Sequence, residues 1–110
     1  MEKDILPQQF LHWYENERPG EGEQAAVILD VREHAEWDYY HLEEAWLMPM
    51  QSVPAGINRI PRDKTVYVVC AHGVRSAAVC DYLESHGYDN TVNVIGGMAA
   101  IGALRGFRYD

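Results

Sequence analysis

The sequence predicts an α/β domain in which helices flank both faces of a central, mainly parallel sheet. Short apolar runs rich in β-branched residues alternate along the chain with segments of helical character. The clearest run, 65–69, has no polar alternation after Thr65, which is typical of a strand covered on both faces. Because parallel sheets bind ligands beyond the carboxyl ends of their strands, the residues that follow these runs are the first candidates for function.

The predicted elements follow one another without a linker, repeat or low-complexity tract. Pro7 suits the first turn of a helix that reaches about residue 17, and a polar loop at 21–24 leads to a buried strand at 26–29. We then expect a helix at 33–39, a strand at 46–48, a weaker helix at 51–60 interrupted by Pro54 and Gly56, the strand 65–69, a helix at 76–86 stopped by Gly87, a strand at 92–95 and a helix to about 104. Residues 1–110 are therefore expected to form one domain.

Composition excludes several classes of function. The net charge of -8 would repel phosphate backbones, so nucleic acid is not an expected partner. We see no apolar run long enough for a membrane span and no signal-peptide core. The two cysteines, Cys70 and Cys80, form neither a disulfide scaffold nor a zinc motif. We therefore expect a cytoplasmic protein with a reduced thiol, no metal and no cofactor.

Cys70 stands directly after the clearest strand and shortly before a helix. The loop that follows it supplies the candidate substrate-binding residues, which are Ala71, His72, Gly73, Val74, Arg75 and Ser76. A short loop that curls into a helix N-terminus points backbone N–H groups inward, which stabilises an anion and lowers the pKa of a thiol. Gly73 suits a backbone position with positive φ, and Arg75 could hold an oxyanion. The alternative is a buried core cysteine, and the Gly and Arg at short spacing favour the functional interpretation.

The loop 70–76 resembles the active-site loop of single-domain rhodaneses, and the resemblance extends along almost the whole chain. Three further segments match signatures of this family in the right order: Leu29–Glu33 with Glu36 and Trp37, His41 and Leu42 with Ala45 and Pro49, and Asn93–Met98. The resemblance implies a five-stranded sheet of the rhodanese type. The sequence departs from the family pattern at Tyr40, Glu44 and Ile101, which affects packing near the site and leaves Cys70 and Arg75 in place.

The resemblance implies a thiosulfate or persulfide sulfurtransferase. Cys70 would take sulfur from a small donor such as thiosulfate, hold it as a persulfide, and pass it to cyanide, a thiol or a protein acceptor. Four residues separate Cys70 from Arg75, whereas related cysteine phosphatases and arsenate reductases have five. The shorter loop favours a single sulfur over a tetrahedral oxyanion. A persulfide relay or regulatory binding module with little small-molecule turnover remains the alternative.

Other residues are secondary candidates. In the family, the positions of Asp30 and Arg32 lie near the active site, so we expect Arg32 to bind an anionic donor and Asp30 to be mainly structural, with a purely structural ion pair as the alternative. We interpret His72 as part of the loop rim and His41 as a structural hydrogen-bonding group. Cys80 falls on the inner face of its helix, which favours burial over a resolving-thiol role. Ser76 could cap the helix or line the loop, and Gly96 with Gly97 permits a tight turn.

Overall fold

A computed structural model describes residues 3–17 and 26–106. These residues form β1 (Asp4–Ile5), α1 (Pro7–His12) with a π-helical continuation (Trp13–Glu17), β2 (Ala26–Asp30), α2 (His34–Tyr39), β3 (Trp46–Leu47), α3 (Val53–Gly56), β4 (Thr65–Val69), α4 (Val74–Ser85), β5 (Thr91–Val94) and α5 (Gly97–Leu104). Two 3-10 turns, Met50–Ser52 and Ile57–Arg59, flank α3.

The sheet has five strands in the order β1-β5-β4-β2-β3, and all four neighbouring pairs are parallel. The predicted α/β fold with a five-stranded, mainly parallel sheet is therefore confirmed. β4 lies at the centre between β2 and β5, with Asp30 paired to Val69 at the carboxyl edge. Because β2 and β4 end in register there, the residues that follow both strands meet at one edge of the sheet.

Helices cover both faces of the sheet. Neighbouring side chains of a strand point to opposite faces, so a continuous apolar run makes both faces apolar. Leu29 and Val68 pack with Val79 and Leu83 of α4 on one face. The other face brings the buried strand residues Ile28, Val69 and Val94 together with Phe10, Leu11 and Tyr14 of the first helix and with Met98 and Ile101 of α5. This two-sided burial explains why the central strands lack polar alternation.

The structure differs from the sequence-based prediction mainly at element ends. Strand β1 was not predicted, since two residues carry no periodic signal. The predicted helix at 51–60 is three short pieces around Pro54 and Gly56. The helix predicted from Ser76 begins at Val74, directly after the left-handed Gly73. The loop at 21–24 lies outside the described residues. Among the helices of the described ranges, none is long and apolar enough to cross a bilayer.

Candidate active site

Cys70 lies at the carboxyl end of the central strand β4, and two backbone N–H donors and one hydroxyl group surround its sulfur. The backbone N–H groups of Gly73 and Ser76 donate to Sγ at 3.1 and 3.3 Å. The hydroxyl Oγ of Ser76 lies 3.3 Å from the same sulfur. Only 1% of Cys70 is exposed. The predicted cradle of inward-pointing N–H groups is therefore present around Sγ.

These contacts change the acidity of the thiol. Burial by itself raises the pKa of Cys70, but hydrogen bonds from the Ser76 side chain and from the backbone of Ser76, Gly73 and His72 outweigh it, and the pKa is lowered from 9.0. Each of these donors favours the anionic form of the sulfur. The groups that stabilise the thiolate are thus neutral dipoles at the start of a helix.

Glycines hold this loop in its shape. Gly73 has φ of +94°, in the left-handed region, and turns the chain from the loop into α4. Gly97 has φ of +58°, and a Cβ there would overlap the carbonyl oxygen of Cys70 and stand 2.8 Å from the carbonyl carbon of Ala71. The next two N–H groups, of Met98 and Ala99, donate to the Cys70 and Ala71 carbonyls at 2.8 and 3.0 Å. The tight turn predicted at Gly96 and Gly97 therefore supports the cysteine loop from behind.

Ser76 has a second partner that sequence reasoning did not identify. Its Oγ donates to Oδ1 of Asn93 at 2.5 Å, and Nδ2 of Asn93 donates to Asp4 at 3.4 Å. Both Ser76 and Asn93 are buried. A hydroxyl carries one proton, so Ser76 donates either to Asn93 or to the Cys70 sulfur at any moment. The backbone N–H groups of Gly73 and Ser76 donate to the sulfur whichever partner the Ser76 hydroxyl chooses.

Arg75 is partly exposed and is bound by a carboxylate. Its two terminal nitrogens donate to Oε1 and Oε2 of Glu36 at 2.8 and 2.9 Å, a bidentate pair. Glu36 is held in turn by the backbone N–H of Glu33 at 2.9 Å. The hydrogen bonds from Arg75 lower the pKa of Glu36 to about 2. The cation predicted to hold an oxyanion therefore already has an anionic partner.

Asp30 and Arg32 form a fully buried ion pair. Nε and Nη2 of Arg32 donate to the Asp30 carboxylate at 2.9 and 2.8 Å, and Nη2 also donates to the Tyr40 carbonyl at 2.7 Å. Both residues are 0% exposed. The structure brings Asp30 and Arg32 to the predicted sheet edge but places the guanidinium inside the domain. This geometry favours the structural alternative over donor binding by Arg32.

The remaining candidates surround the cradle or lie away from it. His72 on the loop and Val74 at the start of α4 are exposed, with 77% of Val74 accessible. Nδ1 of His41 lies 2.8 Å from the Trp37 carbonyl, and the two rings stack at 3.8 Å, as expected for a structural group. Cys80 is partly buried and burial raises its pKa to about 11. Within residues 3–17 and 26–106, no three His, Cys, Asp or Glu side chains cluster as metal ligands would.

Comparison with known proteins identifies the family. The model of the rhodanese-like domain matches residues 11–104. The chain is 30% identical over 98 residues to the probable adenylyltransferase/sulfurtransferase MoeZ of Mycobacterium tuberculosis, covering 87% of this chain and 24% of MoeZ. It thus spans about a quarter of that relative's length. It is also 30% identical over 95 residues to the thiosulfate sulfurtransferase GlpE of Haemophilus influenzae, with coverage of 86% and 83%.

A solved structure agrees with this assignment over nearly the whole chain. The rhodanese-like domain protein from Staphylococcus aureus superposes with a TM-score of 0.79 at 37% identity, covering 91% of both chains. This chain belongs to the rhodanese-like domain family, together with relatives that are named sulfurtransferases.

Proposed function

We propose that this protein transfers sulfane sulfur through a persulfide on Cys70. The observation that carries the proposal is the convergence of two backbone N–H groups and one hydroxyl on Sγ. Such a cradle stabilises a thiolate, which is the nucleophilic form of cysteine. It can equally stabilise negative charge on a second sulfur attached to Sγ, because N–H dipoles at a helix N-terminus favour any small anion.

In the first half-reaction, the Cys70 thiolate attacks the outer sulfur of a sulfane donor. With thiosulfate, a bond forms between Sγ and the outer sulfur while the donor's S–S bond breaks. The electron pair of that bond leaves with sulfite, and Cys70 becomes a persulfide anion. No proton is transferred, so no general base is required once the thiolate exists. This agrees with the exposed position of His72 on the loop.

In the second half-reaction, an acceptor thiolate or cyanide attacks the outer sulfur of the persulfide. The new bond forms to the acceptor, the bond to Sγ breaks, and its electron pair regenerates the Cys70 thiolate. The donor product leaves before the acceptor reacts, so ping-pong kinetics are expected. Because Cys70 is 1% exposed, both partners must approach end-on with a small reacting atom.

A persulfide relay between proteins, with little turnover of small molecules, is the second candidate. The ion pair between Arg75 and Glu36 favours it, because the loop arginine is already neutralised and offers a dianion such as thiosulfate less attraction. Turnover with thiosulfate and cyanide separates the two candidates. Rapid turnover supports an enzyme acting on small donors, whereas stable loading with slow release to small acceptors supports the relay.

Intact-mass spectrometry after treatment with a sulfane donor tests the proposal common to both. We expect the protein to gain the mass of one sulfur atom, to lose it on addition of cyanide, and to gain nothing when Cys70→Ser is treated in the same way. Cys80→Ser is the matched control and should load as the parent protein does. Absence of Cys70-dependent sulfur with both thiosulfate and methanethiosulfonate would rule out the proposed function.

A further inference from the structure

We infer that Glu36 sets the donor preference of this site, by neutralising Arg75 and so disfavouring dianionic donors. The inference rests on the proposed sulfur transfer and names its donor class. The favoured donors carry one negative charge or none at the end that enters the site, as organic thiosulfonates and alkyl persulfides do. Thiosulfate, with two negative charges, is disfavoured relative to them.

The sequence offers two arginines as cations for a donor. Arg75 is the one Lys or Arg in the loop 70–76, and Arg32 is the other arginine that the sequence assigns to donor binding. Carboxylates bind both in bidentate fashion: Glu36 binds Arg75, and Asp30 binds Arg32. A dianion that enters the loop can therefore meet only the charge-balanced Arg75, because Arg32 is fully buried.

The Arg75–Glu36 pair is preorganised. Glu36 lies in the first turn of α2, where its Oε1 also accepts the N–H of Glu33 at 2.9 Å. Arg75 lies in the first turn of α4, so two helix ends meet at this ion pair. The side chains are 33% and 30% exposed, and both carboxylate oxygens are used. Bidentate pairs of this kind are stronger and better oriented than single contacts.

The remaining groups at the sulfur and beside Arg75 carry no charge. The sulfur itself is stabilised by neutral N–H and O–H groups, which suffice for the single charge of a thiolate or persulfide. Val74, beside Arg75, is 77% exposed and presents an apolar surface next to the loop. The whole chain carries a net charge of -8, which repels a dianion more strongly than a monoanion. All three features favour a donor of low charge.

Thiosulfate and methanethiosulfonate form a matched pair of probes. The second replaces one charged oxygen of thiosulfate by a methyl group, so it carries one negative charge instead of two. Thiolate attack on its outer sulfur forms the same Cys70 persulfide, and the electron pair of the broken S–S bond leaves with methanesulfinate. Differences in intrinsic reactivity cancel when the ratio of the two kcat/KM values is compared between variants.

Glu36→Gln tests the inference, because glutamine retains an acceptor for the Glu33 N–H but removes the charge. We expect the ratio of kcat/KM for thiosulfate to that for methanethiosulfonate to rise about tenfold, which corresponds to about 1.4 kcal/mol. Asp38→Asn removes one charge from an exposed position of the same helix and is the matched control, with a change below about twofold. A Glu36→Gln ratio equal to that of the control, or a lower one, would overturn the inference.

The double variant Glu36→Gln with Arg75→Gln shows whether Glu36 acts through Arg75. We expect its ratio to return to within about twofold of the parent value, since both charges of the pair are gone. A ratio that stays high would overturn the inference, because the effect would then not involve Arg75.

Salt dependence of the unmodified protein provides a measurement that needs no variant. If Arg75 is neutralised, the net negative charge dominates, and kcat/KM for thiosulfate should stay level or rise between about 20 mM and about 200 mM KCl. A steep fall would indicate an available cation and would overturn the inference. If Cys70 loads sulfur from either probe while the ratio or salt test fails, only the donor preference is wrong; loading from neither probe removes the proposed function itself.

Discussion

Cys70 is buried and Cys80 is partly buried, yet the pKa values of their thiols are shifted in opposite directions. Burial raises the pKa of Cys80 to about 11, and the Thr91 hydrogen bond that opposes it is too weak to compensate. Burial also raises the pKa of Cys70, but four hydrogen bonds reverse the result. The difference lies in the surrounding donors rather than in the depth of burial.

The positions of the two residues explain this difference. Cys80 lies in the middle of α4, where the helix's own N–H groups are already bonded within the helix. It faces a cavity of about 350 Å³ whose lining includes the carboxylates of Asp4, Asp81 and Glu84. Their negative charges disfavour the Cys80 thiolate. Cys70 precedes the same helix, where N–H groups have no helical partner. The start of α4 thus lowers the pKa of one thiol, whereas the middle of the same helix leaves the other with a raised pKa.

The largest effect is expected from Gly97→Ala, which removes the support of the Cys70 loop. The new Cβ would overlap backbone atoms of Cys70 and Ala71, which cannot move aside as a flexible side chain can. We expect the rate of persulfide loading to fall by about 100-fold or more and the free energy of unfolding to drop by about 2–4 kcal/mol. Stopped-flow loading and urea unfolding measure these two changes.

Gly106→Ala is the matched control for this substitution. Gly106 also has positive φ, +77°, but a Cβ there meets nothing within 4 Å. It should lose about 1 kcal/mol of stability from backbone strain and keep its loading rate. Equal loading rates in the two variants would show that the close approach of Gly97 does not shape the cradle.

Ser76→Ala should raise the pKa of the Cys70 thiol, which makes it more like the Cys80 thiol. The variant loses the hydroxyl and keeps the backbone N–H, so one of the groups that lower the pKa of Cys70 disappears. The thiolate then forms only at higher pH, and the rise of alkylation rate with pH moves upward. At pH 7 we expect alkylation of Cys70 by iodoacetamide to slow about tenfold, the effect of one hydrogen bond to a charged group.

The pH profile distinguishes this explanation from general damage to the site. Well above both pKa values the thiolate is fully formed in parent and variant, so their alkylation rates should converge there. Ser85→Ala, at the other end of α4 where Oγ donates to the Tyr82 carbonyl, is the matched control and should leave the profile unchanged. A constant difference in rate across the whole pH range would contradict a role for Ser76 in setting the pKa of Cys70.

The surroundings of the Cys70 thiol were only partly predictable from the sequence. Cys70, Gly73 and Ser76 were predictable because the strand, the loop and the helix start are contiguous, and local order is enough to bring them together. Glu36 lies 39 residues from Arg75, and Asn93 lies 17 residues from Ser76. These contacts depend on which strands become neighbours in the sheet and how their helices end, which no periodic pattern records. Family resemblance located Glu36 but did not supply its partner.

The fold also had parts that were predictable from the local sequence and parts that were not. Strands β2 and β4 were predictable because their apolar runs are buried on both faces, and a parallel arrangement followed from the alternating helices. The two-residue strand β1 was missed because it is defined by pairing with β5 and not by any pattern of its own. Helix α4 begins two residues before the predicted start, because Gly73 adopts the left-handed region and allows the turn there. Of these details, only β1 depends on a partner in space; the others follow from the local sequence.

The smallest effect is expected at Cys80, and it completes the comparison. With a pKa of about 11, roughly one Cys80 thiol in ten thousand is ionised at pH 7, so alkylation there should be at least about 100-fold slower than at Cys70. Peptide mapping after brief iodoacetamide treatment measures both rates in one sample. Cys80→Ala should leave persulfide loading within about twofold of the parent, because the thiol takes no part in the cradle. Comparable alkylation of the two cysteines would mean that burial does not make the Cys80 thiol unreactive. A disulfide between them after loading would mean that Cys80 attacks the Cys70 persulfide and releases its outer sulfur as sulfide.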